Sequence, residues 1–260
     1  MTARKSTRDF KRKKISKKDF AKLKGEVNDI NGLAEPHGAH FTLYGDGKDI
    51  AEALDGHAGY GGVMIYAPAY ITMELKEASN EAHIYGAYYL EDLVTKADAI
   101  GLGSCWITVK DVTNGLRQAV FEESEYPVEF ILAVGYPQPQ FNIGEQKYSS
   151  RLGLDDIVFD GSLGNPASMS MLENYGLRDL FHYLRYAPST KNTQPWRFLI
   201  TKDGIELYMK DYEGDNNYVD IGIVMYYYVM LADAAGISAQ WELGDFHEEK
   251  GLIYIGSTNY

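Results

Sequence analysis

An α+β chain of two pseudo-symmetric halves is expected, each half built from central helices and an antiparallel-rich sheet. Three observations predict it. Residues 97–106 (ADAIGLGSCW) and 232–241 (ADAAGISAQW) share Ala, Asp, Ala, Gly and Trp in register, each after a long Tyr-rich helical segment. Long helical patterns alternate with short buried-strand patterns throughout the chain. The stretch near 160–175, DGSLGNPASMS, is turn-rich and poor in core formers, which sets the halves at 1–160 and 161–260.

The elements follow in order. Ile15 to Leu23 (ISKKDFAKL) is an amphipathic helix with Ser16 as its cap. Asn31 to Gly62, rich in Gly, Asp and His, should be loops around short strands. Val63 to Met73 (VMIYAPAYITM) has the β-branched and aromatic content of a buried strand. Glu81 to Ile100 is a long helix, punctuated by Gly101 and Gly103. Pro127 to Val134 (PVEFILAV) is a second buried strand, stopped by Gly135-Tyr136-Pro137. Leu177 to Arg185 is helical. Arg197–Ile200 and Ile205–Met209 form a hairpin-like pair around Asp203-Gly204. Asp220 to Ala235 is a helix apolar on nearly every face, hence central, and Leu252–Ile255 is a closing strand.

Composition narrows the function. The chain has 260 residues, ordinary apolar and charged fractions, and no apolar run approaching the roughly 20 residues of a spanning helix. No membrane association is expected. The basic start MTARKSTRDFKRKK has no apolar segment behind it and does not read as a secretory signal. One cysteine, Cys105, excludes an intrachain disulfide and fits a reducing, cytoplasmic setting. Residues 1–24 carry 11 Lys or Arg against two acids, while the remainder carries 14 basic and 35 acidic residues. A basic segment on an acidic body suits a small phosphate-bearing molecule. Nucleic acid is not expected, because the acidic body would repel a long polyanion.

Four segments carry chemistry. Arg4-Lys5-Ser6-Thr7-Arg8 places two guanidinium groups and a hydroxyl where they can converge on a phosphate, or else it is a solvated tail. Ala187 to Phe198 (APSTKNTQPWRF) is a proline-stiffened loop whose hydroxyls and amides can read the polar edge of a flat heterocycle. Gly101 to Ile107 (GLGSCWI) lets backbone amides approach a ligand, although a lone G-x-G is more often a helix stop. Ser149-Ser150-Arg151 sets a cation before a possible helix start. Cys105 is expected as a buried small hydrophobe in a helix-end turn. Tyr85, Tyr88 and Tyr89, at helical spacing, are core or line an acceptor site. His37 and His40 lack an evident third ligand, so no metal is expected.

Together these segments resemble the nitroreductase family. Its R-x-S-x-R-x-F start is matched by Arg4 to Phe10, its A-P-S-x-x-N-x-Q-P-W-x-F loop by Ala187 to Phe198, its G-L-G-S-C-W-I by Gly101 to Ile107, and its G-Y-P by Gly135 to Pro137. A basic segment like R-x-P-L-E-E is matched by Arg151 to Asp156. The order departs from a simple member, since the Pro-Ser loop follows GLGSCW instead of preceding it. The chain thus resembles the fused subgroup in which one polypeptide mimics the usual homodimer, and a monomer is implied.

The resemblance implies a nitroreductase-like fold and FMN as cofactor, with NADH or NADPH as reductant. It implies reduction of a nitroaromatic, quinone or similar small acceptor by ping-pong hydride transfer. Arg4, Ser6, Arg8 and Arg151 would hold the phosphate. Pro188, Ser189, Thr190 and Asn192 would contact the ribityl chain and ring, and backbone groups of Ser104, Cys105, Trp106 and Ile107 would line the ring. No protein side chain is named as catalytic, because the flavin carries the chemistry. The alternative is a non-catalytic FMN-binding or flavin-sensing protein on the same fold.

Overall fold

The computed structural model describes residues 5–59, 62–139, 150–212 and 217–259. The chain divides into one compact unit of residues 4–145 and another containing 146–260.

In the first unit the elements are α1 (Lys17–Ala34), β1 (Ala39–His40), β2 (Leu43–Tyr44), α2 (Gly47–Leu54), β3 (Ala69–Leu75), α3 (Asn80–Ala99), β4 (Gly103–Thr108), α4 (Asn114–Val120) and β5 (Val128–Gly135). The sheet runs β1-β3-β5-β4, with β2 also on β3, and every pairing is antiparallel. β3 is buried along its whole length, which explains its near-continuous apolar reading. Its Tyr70 lies in a core with Ile50 and Leu54 of α2 and Ile131 of β5. Its Met73 and Leu75 meet α3 at Gly86, where an added Cβ would stand 3.0 Å from Leu75. Ser16 caps α1 as expected, its hydroxyl accepting from the Asp19 N–H at 3.1 Å.

Several boundaries differ from the sequence reading. β3 begins after Pro68, not at Val63, because Pro68 has no N–H to give a ladder. The preceding stretch is folded onto β3 instead: the Tyr70 hydroxyl donates to the Ile65 carbonyl at 2.5 Å and accepts from the Ala67 N–H at 3.1 Å. α2 occupies a region read as loops, although Ile50, Ala51 and Leu54 give it one buried face. GLGSCW is not a turn throughout, since strand β4 starts at its Gly103.

The second unit contains α5 (Leu154–Ile157), β6 (Val158–Asp160), α6 (Met169–Asn174), α7 (Arg178–Leu184), β7 (Trp196–Ile200), β8 (Ile205–Met209), α8 (Asn217–Ala234), β9 (Glu242–Leu243), β10 (Glu248–Glu249) and β11 (Leu252–Thr258). Its sheet runs β10-β11-β8-β7-β6, with β9 also on β11; only β6 and β7 are parallel among the described pairings. One sheet face is covered by α7 and α8, through Phe181 against Phe198 (5.3 Å between ring centroids) and Phe198 stacked near Tyr228 (6.2 Å). α8 is buried around most of its circumference from Val219 to Tyr228, as its uniform apolarity requires. The division at 145/146 differs from a seam at 160–175. Val158–Asp160 pair with Phe198–Ile200, so the residues before 160 belong to the second sheet.

The similar segments 97–106 and 232–241 end their helices with the same bonds. The Gly101 and Gly236 N–H groups donate to Asp98 and Asp233, and the next residues, Leu102 and Ile237, donate back to Ala97 and Ala232. Both glycines take positive φ, 79° and 77°, which a side chain would resist. The same cap at Gly176 ends α6, so it is a general helix stop and no mark of a repeat.

One electrostatic feature of the first unit makes a pH-dependent contribution to its stability. Glu129 of β5 accepts from His83 Nε2 at 2.7 Å and lies 3.0 Å from Lys110 Nζ. The His83 hydrogen bond, aided by Lys110, holds its carboxyl down to about 2 from 4.5. A depressed carboxylate contributes stability above its unfolded value and loses it as pH falls through the folded one. Glu129→Gln is therefore expected to cost about 2 kcal/mol in denaturant unfolding near pH 6. That difference from the natural chain should shrink as pH falls from about 4.5 to about 2.

Candidate functional site

Segment 5–11 lies along the open edge of β4 and the end of β5. Ser6 bridges Ser104 in parallel fashion, and the Thr7 N–H donates to the Ser104 carbonyl at 2.8 Å. Phe10 bridges Pro137, the Lys11 N–H donates to the Tyr136 carbonyl at 2.9 Å, and Gln138 N–H donates to the Asp9 carbonyl at 3.0 Å. Two of the four segments, the arginine motif and GLGSCW, thus converge in one unit, together with GYP.

Two glycines make this approach possible. A Cβ on Gly103 would stand 2.8 Å from the Thr7 Cβ, and one on Gly135 would stand 2.5 Å from Pro68 and 3.0 Å from Phe10. Phe10 is buried with Cys105 and Ile107 in the first unit's core, whereas Ser6 and Arg8 are exposed. The motif is therefore anchored by its phenylalanine and holds its polar side chains outward. Tyr136 ties the assembly to α1: its hydroxyl donates to Asp19 Oδ2 at 2.5 Å. That bond and the Ser16 hydroxyl hold the half-buried Asp19 carboxyl below its usual range.

Strand geometry separates the GLGSCW residues. In an antiparallel ladder both backbone groups of a residue point to the same side. Ser104 offers its carbonyl to Thr7, away from β5, so Trp106 also faces the open edge, while Cys105 and Ile107 face β5 opposite Ala133 and Ile131. Cys105 and Ile107 are buried, and Cys105 is a small core residue in a strand rather than in a turn. Trp106 is fixed by its indole N–H, which donates to the buried Glu91 carboxylate at 2.9 Å, and by Phe130 at 5.9 Å.

The Pro-Ser loop lies in the second unit and is held by many short-range bonds. Lys191, Asn192 and Gln194 have φ of 51°, 62° and 50°. Asparagine tolerates this region, but Lys and Gln adopt it at a cost of about 1 kcal/mol or more each. The compensation is visible. The Gln194 N–H donates to Ser189 Oγ at 2.9 Å, the Gln194 amide donates to the Asn192 carbonyl at 3.1 Å, and Gln194 Oε1 accepts from the Leu152 N–H at 3.0 Å. Thr190 donates its N–H (2.9 Å) and its hydroxyl (3.2 Å) to Oδ1 of Asp220, which is 1% exposed in the first turn of α8.

Arg151 belongs to this loop. Its guanidinium donates to the Ala187 carbonyl at 3.2 Å, the Tyr186 carbonyl at 3.4 Å and the Asn192 side-chain oxygen, while Asn192 Nδ2 donates to the Ser150 carbonyl at 2.7 Å. The sequence reading grouped Arg151 with Arg4, Ser6 and Arg8; the structure places it with Asn192 and Ala187. Arg151 is therefore bonded to Asn192 within the loop that also holds Pro188, Ser189 and Thr190, and Ser6, two residues before Arg8, lies on Ser104. Arg4 lies outside the described residues. Asp220, Glu91 and Gln194 were missed as site supports, because the sequence gives no local sign of the long-range bonds they make.

The remaining expectations resolve simply. Tyr85 stacks on His37 at 3.7 Å, with Tyr89 near both and Tyr88 edge-on to Tyr89. His37 is thus an aromatic partner, and burial lowers its pKa. His40 sits with two carboxylates, Glu35 and Glu125, so His37 is not its companion; its Nδ1 is 2.6 Å from Glu35. Among the described residues, no helix is long and apolar enough to cross a membrane.

Comparison with known proteins gives the following. The family model described as "Putative TM nitroreductase" matches residues 1–232. No curated protein matches the chain. A Thermotoga maritima protein described as a "putative nitroreductase" has a similar structure, with TM-score 0.60 and 16% identity over 100% of this chain and 92% of its own. That likeness shows an α+β nitroreductase fold. A Clostridium difficile FMN-dependent nitroreductase aligns at TM-score 0.46 and 21% identity over 56% of this chain and 88% of its own. A nitroreductase family protein from Clostridium novyi aligns at TM-score 0.42 and 16% identity over 52% of this chain and 83% of its own.

Proposed function

Because this chain belongs to the nitroreductase family, in the group described as "Putative TM nitroreductase", we propose that it is an FMN-dependent oxidoreductase. NADH or NADPH reduces it, and a nitroaromatic, quinone or similar small acceptor reoxidises it. The observation that carries the reading is the convergence of Ser6 and Arg8 with the β4 edge and the GYP end of β5.

The donor chemistry fits FMN. Arg8 and Ser6 offer an exposed guanidinium and hydroxyl suited to a phosphate dianion, and Arg4 completes the motif in sequence. The 187–195 loop offers hydroxyl and amide groups held in one arrangement, suited to polyol and heterocycle edges. When bound, the flavin supplies the two-electron hydride chemistry.

The chain's own residues then have distinct tasks. Ser6 and Arg8 bind phosphate, joined by Arg4. Ser189, Thr190 and Asn192 bind the ribityl chain and ring, and Pro188 stiffens their entry. Arg151 orders the same loop by gripping two of its acceptors and the Tyr186 carbonyl beside it. Ser104 and Trp106 present the outward edge of β4 to the ring; Cys105 and Ile107 anchor that strand to β5 and the core. A single chain is the working unit, since the arginine motif and the Pro-Ser loop each occur once in it. The 97–106 and 232–241 repeat is read as the trace of an internal duplication.

Anaerobic rapid mixing tests the activity. The FMN-reconstituted protein should lose its flavin absorbance with NADH or NADPH, and an added quinone or nitroaromatic should restore it. Bound FMN that neither nucleotide bleaches would overturn the oxidoreductase reading and leave a flavin-binding protein.

A further inference from the structure

Glu35, His40 and Glu125 are far apart in sequence, yet the first unit brings their side chains together. An imidazole nitrogen and one oxygen from each carboxylate all lie within 4.8 Å of one another. Glu35 follows α1, His40 is on β1, and Glu125 sits in the turn before β5. None of the three belongs to the segments assigned to FMN.

Two of these positions are held by groups outside the trio. Asn31 clamps the residue after His40: its Oδ1 accepts from the Phe41 N–H and its Nδ2 donates to the Phe41 carbonyl, both at 2.9 Å. Glu74 is the cross-strand partner of His40 and is fully buried. Its carboxylate accepts from the N–H groups of Glu125 at 2.8 Å and Tyr126 at 3.4 Å. One buried side chain thus fixes the turn carrying Glu125 beside the strand carrying His40.

The hydrogens can be assigned. Phe41 sets the orientation of the Asn31 amide, so the nitrogen 3.4 Å from His40 Nε2 is a donor and Nε2 accepts. The imidazole hydrogen is then on Nδ1 and is donated to Glu35 at 2.6 Å. A single hydrogen therefore serves two facing carboxylates. Among the described residues, no Lys or Arg pairs with Glu35 or Glu125. The chain around Glu125 (FEESEYP) adds acids and no base.

We propose that Glu35, His40 and Glu125 bind a divalent first-row transition-metal ion such as Zn²⁺, through His40 Nδ1 and one oxygen of each carboxylate. The ion takes the place of the Nδ1 hydrogen, which leaves to solvent, and neutralises the facing carboxylates. Imidazole together with carboxylate suits Zn²⁺, whereas Mg²⁺ and Ca²⁺ favour all-oxygen shells. Metal–ligand bonds of about 2.0–2.2 Å draw the three atoms closer together, a movement open to the exposed Glu35 and Glu125 side chains. A fourth position is left to water. The bound ion ties the end of α1 to β1 and to the turn before β5. The site stands or falls independently of the flavin reading.

Calorimetric titration of the tag-free, metal-stripped full chain with Zn²⁺ near pH 7 tests the proposal, with Mg²⁺ as the control. About one Zn²⁺ per chain is expected, weakened roughly tenfold or more by His40→Ala or Glu125→Gln, with no saturable response to Mg²⁺. His37→Ala should bind like the natural chain, since His37 stacks on Tyr85 instead. Co²⁺ should give visible d–d absorption with the natural chain and lose it in His40→Ala. Unchanged far-UV dichroism and FMN content in the variants separate loss of the site from loss of the fold or of the flavin. If His40→Ala disturbs β1, the exposed Glu125→Gln carries the test. Absence of saturable Zn²⁺ binding, or binding indifferent to Glu125→Gln, would overturn the proposal.

Discussion

Asp220→Ala is expected to destabilise the protein by about 3 kcal/mol and to strip it of FMN, because one buried oxygen accepts two hydrogen bonds from the Pro-Ser loop. The carboxyl is 1% exposed, and both the N–H and the hydroxyl of Thr190 end on Oδ1. Removing it leaves those two donors without their acceptor and a small void beside α8. The loop depends on such bonds, since its Lys191, Asn192 and Gln194 all hold positive φ. Asp220→Asn retains a side-chain oxygen and should cost about 1 kcal/mol, with most of the FMN retained. Urea unfolding followed by dichroism, alongside flavin content, measures both. Asp220→Ala with unchanged stability and flavin content would remove Asp220 from the account.

Gly103→Val should lower FMN affinity by roughly tenfold or more, the effect of losing about one charge-assisted contact. Gly103 has ordinary φ, so its requirement is space and not backbone freedom. Its added carbon would meet the Thr7 side chain, 2.8 Å from Cβ and 3.0 Å from Cγ2. The arginine motif must then leave β4 and carry Ser6 and Arg8 with it. Thr7 is not a motif position, which allows a rescue: Thr7→Gly combined with Gly103→Ala should restore binding. Failure of that rescue, with a folded protein, would mean that Gly103 acts through something other than the docking of segment 5–11.

Much of this was legible in the sequence, and the exceptions share a cause. α3, β5, the β7–β8 hairpin and α8 follow from runs whose period or uniform apolarity admits one reading. The Ser16 cap is a local pattern and was found locally. α2 was passed over because its eight residues sit among Gly, Asp and His, although Ile50, Ala51 and Leu54 form a helical face. The start of β3 depends on what Tyr70 bonds, Ile65 and Ala67, and a strand-like composition cannot show that.

The candidate site divides in the same way. Its motif residues were identifiable by their spacing, but their partners were not. Nothing near Arg151 in sequence indicates that its acceptors are the carbonyls of Tyr186 and Ala187. The apolar pattern of α8 conceals that Asp220 serves a loop 30 residues earlier. GLGSCW reads as a turn, yet the alternation of β4 decides which peptide groups are available: Trp106 faces the edge, while Cys105 and Ile107 are committed to β5.

The most direct test of the central claim is the flavin content of the purified full chain after reconstitution with FMN and removal of the excess. Absorbance of the bound and released flavin should give about one FMN per chain, with Arg8→Ala and Asn192→Ala each retaining markedly less. No FMN retained by the natural chain, or full retention by both variants, would contradict the account.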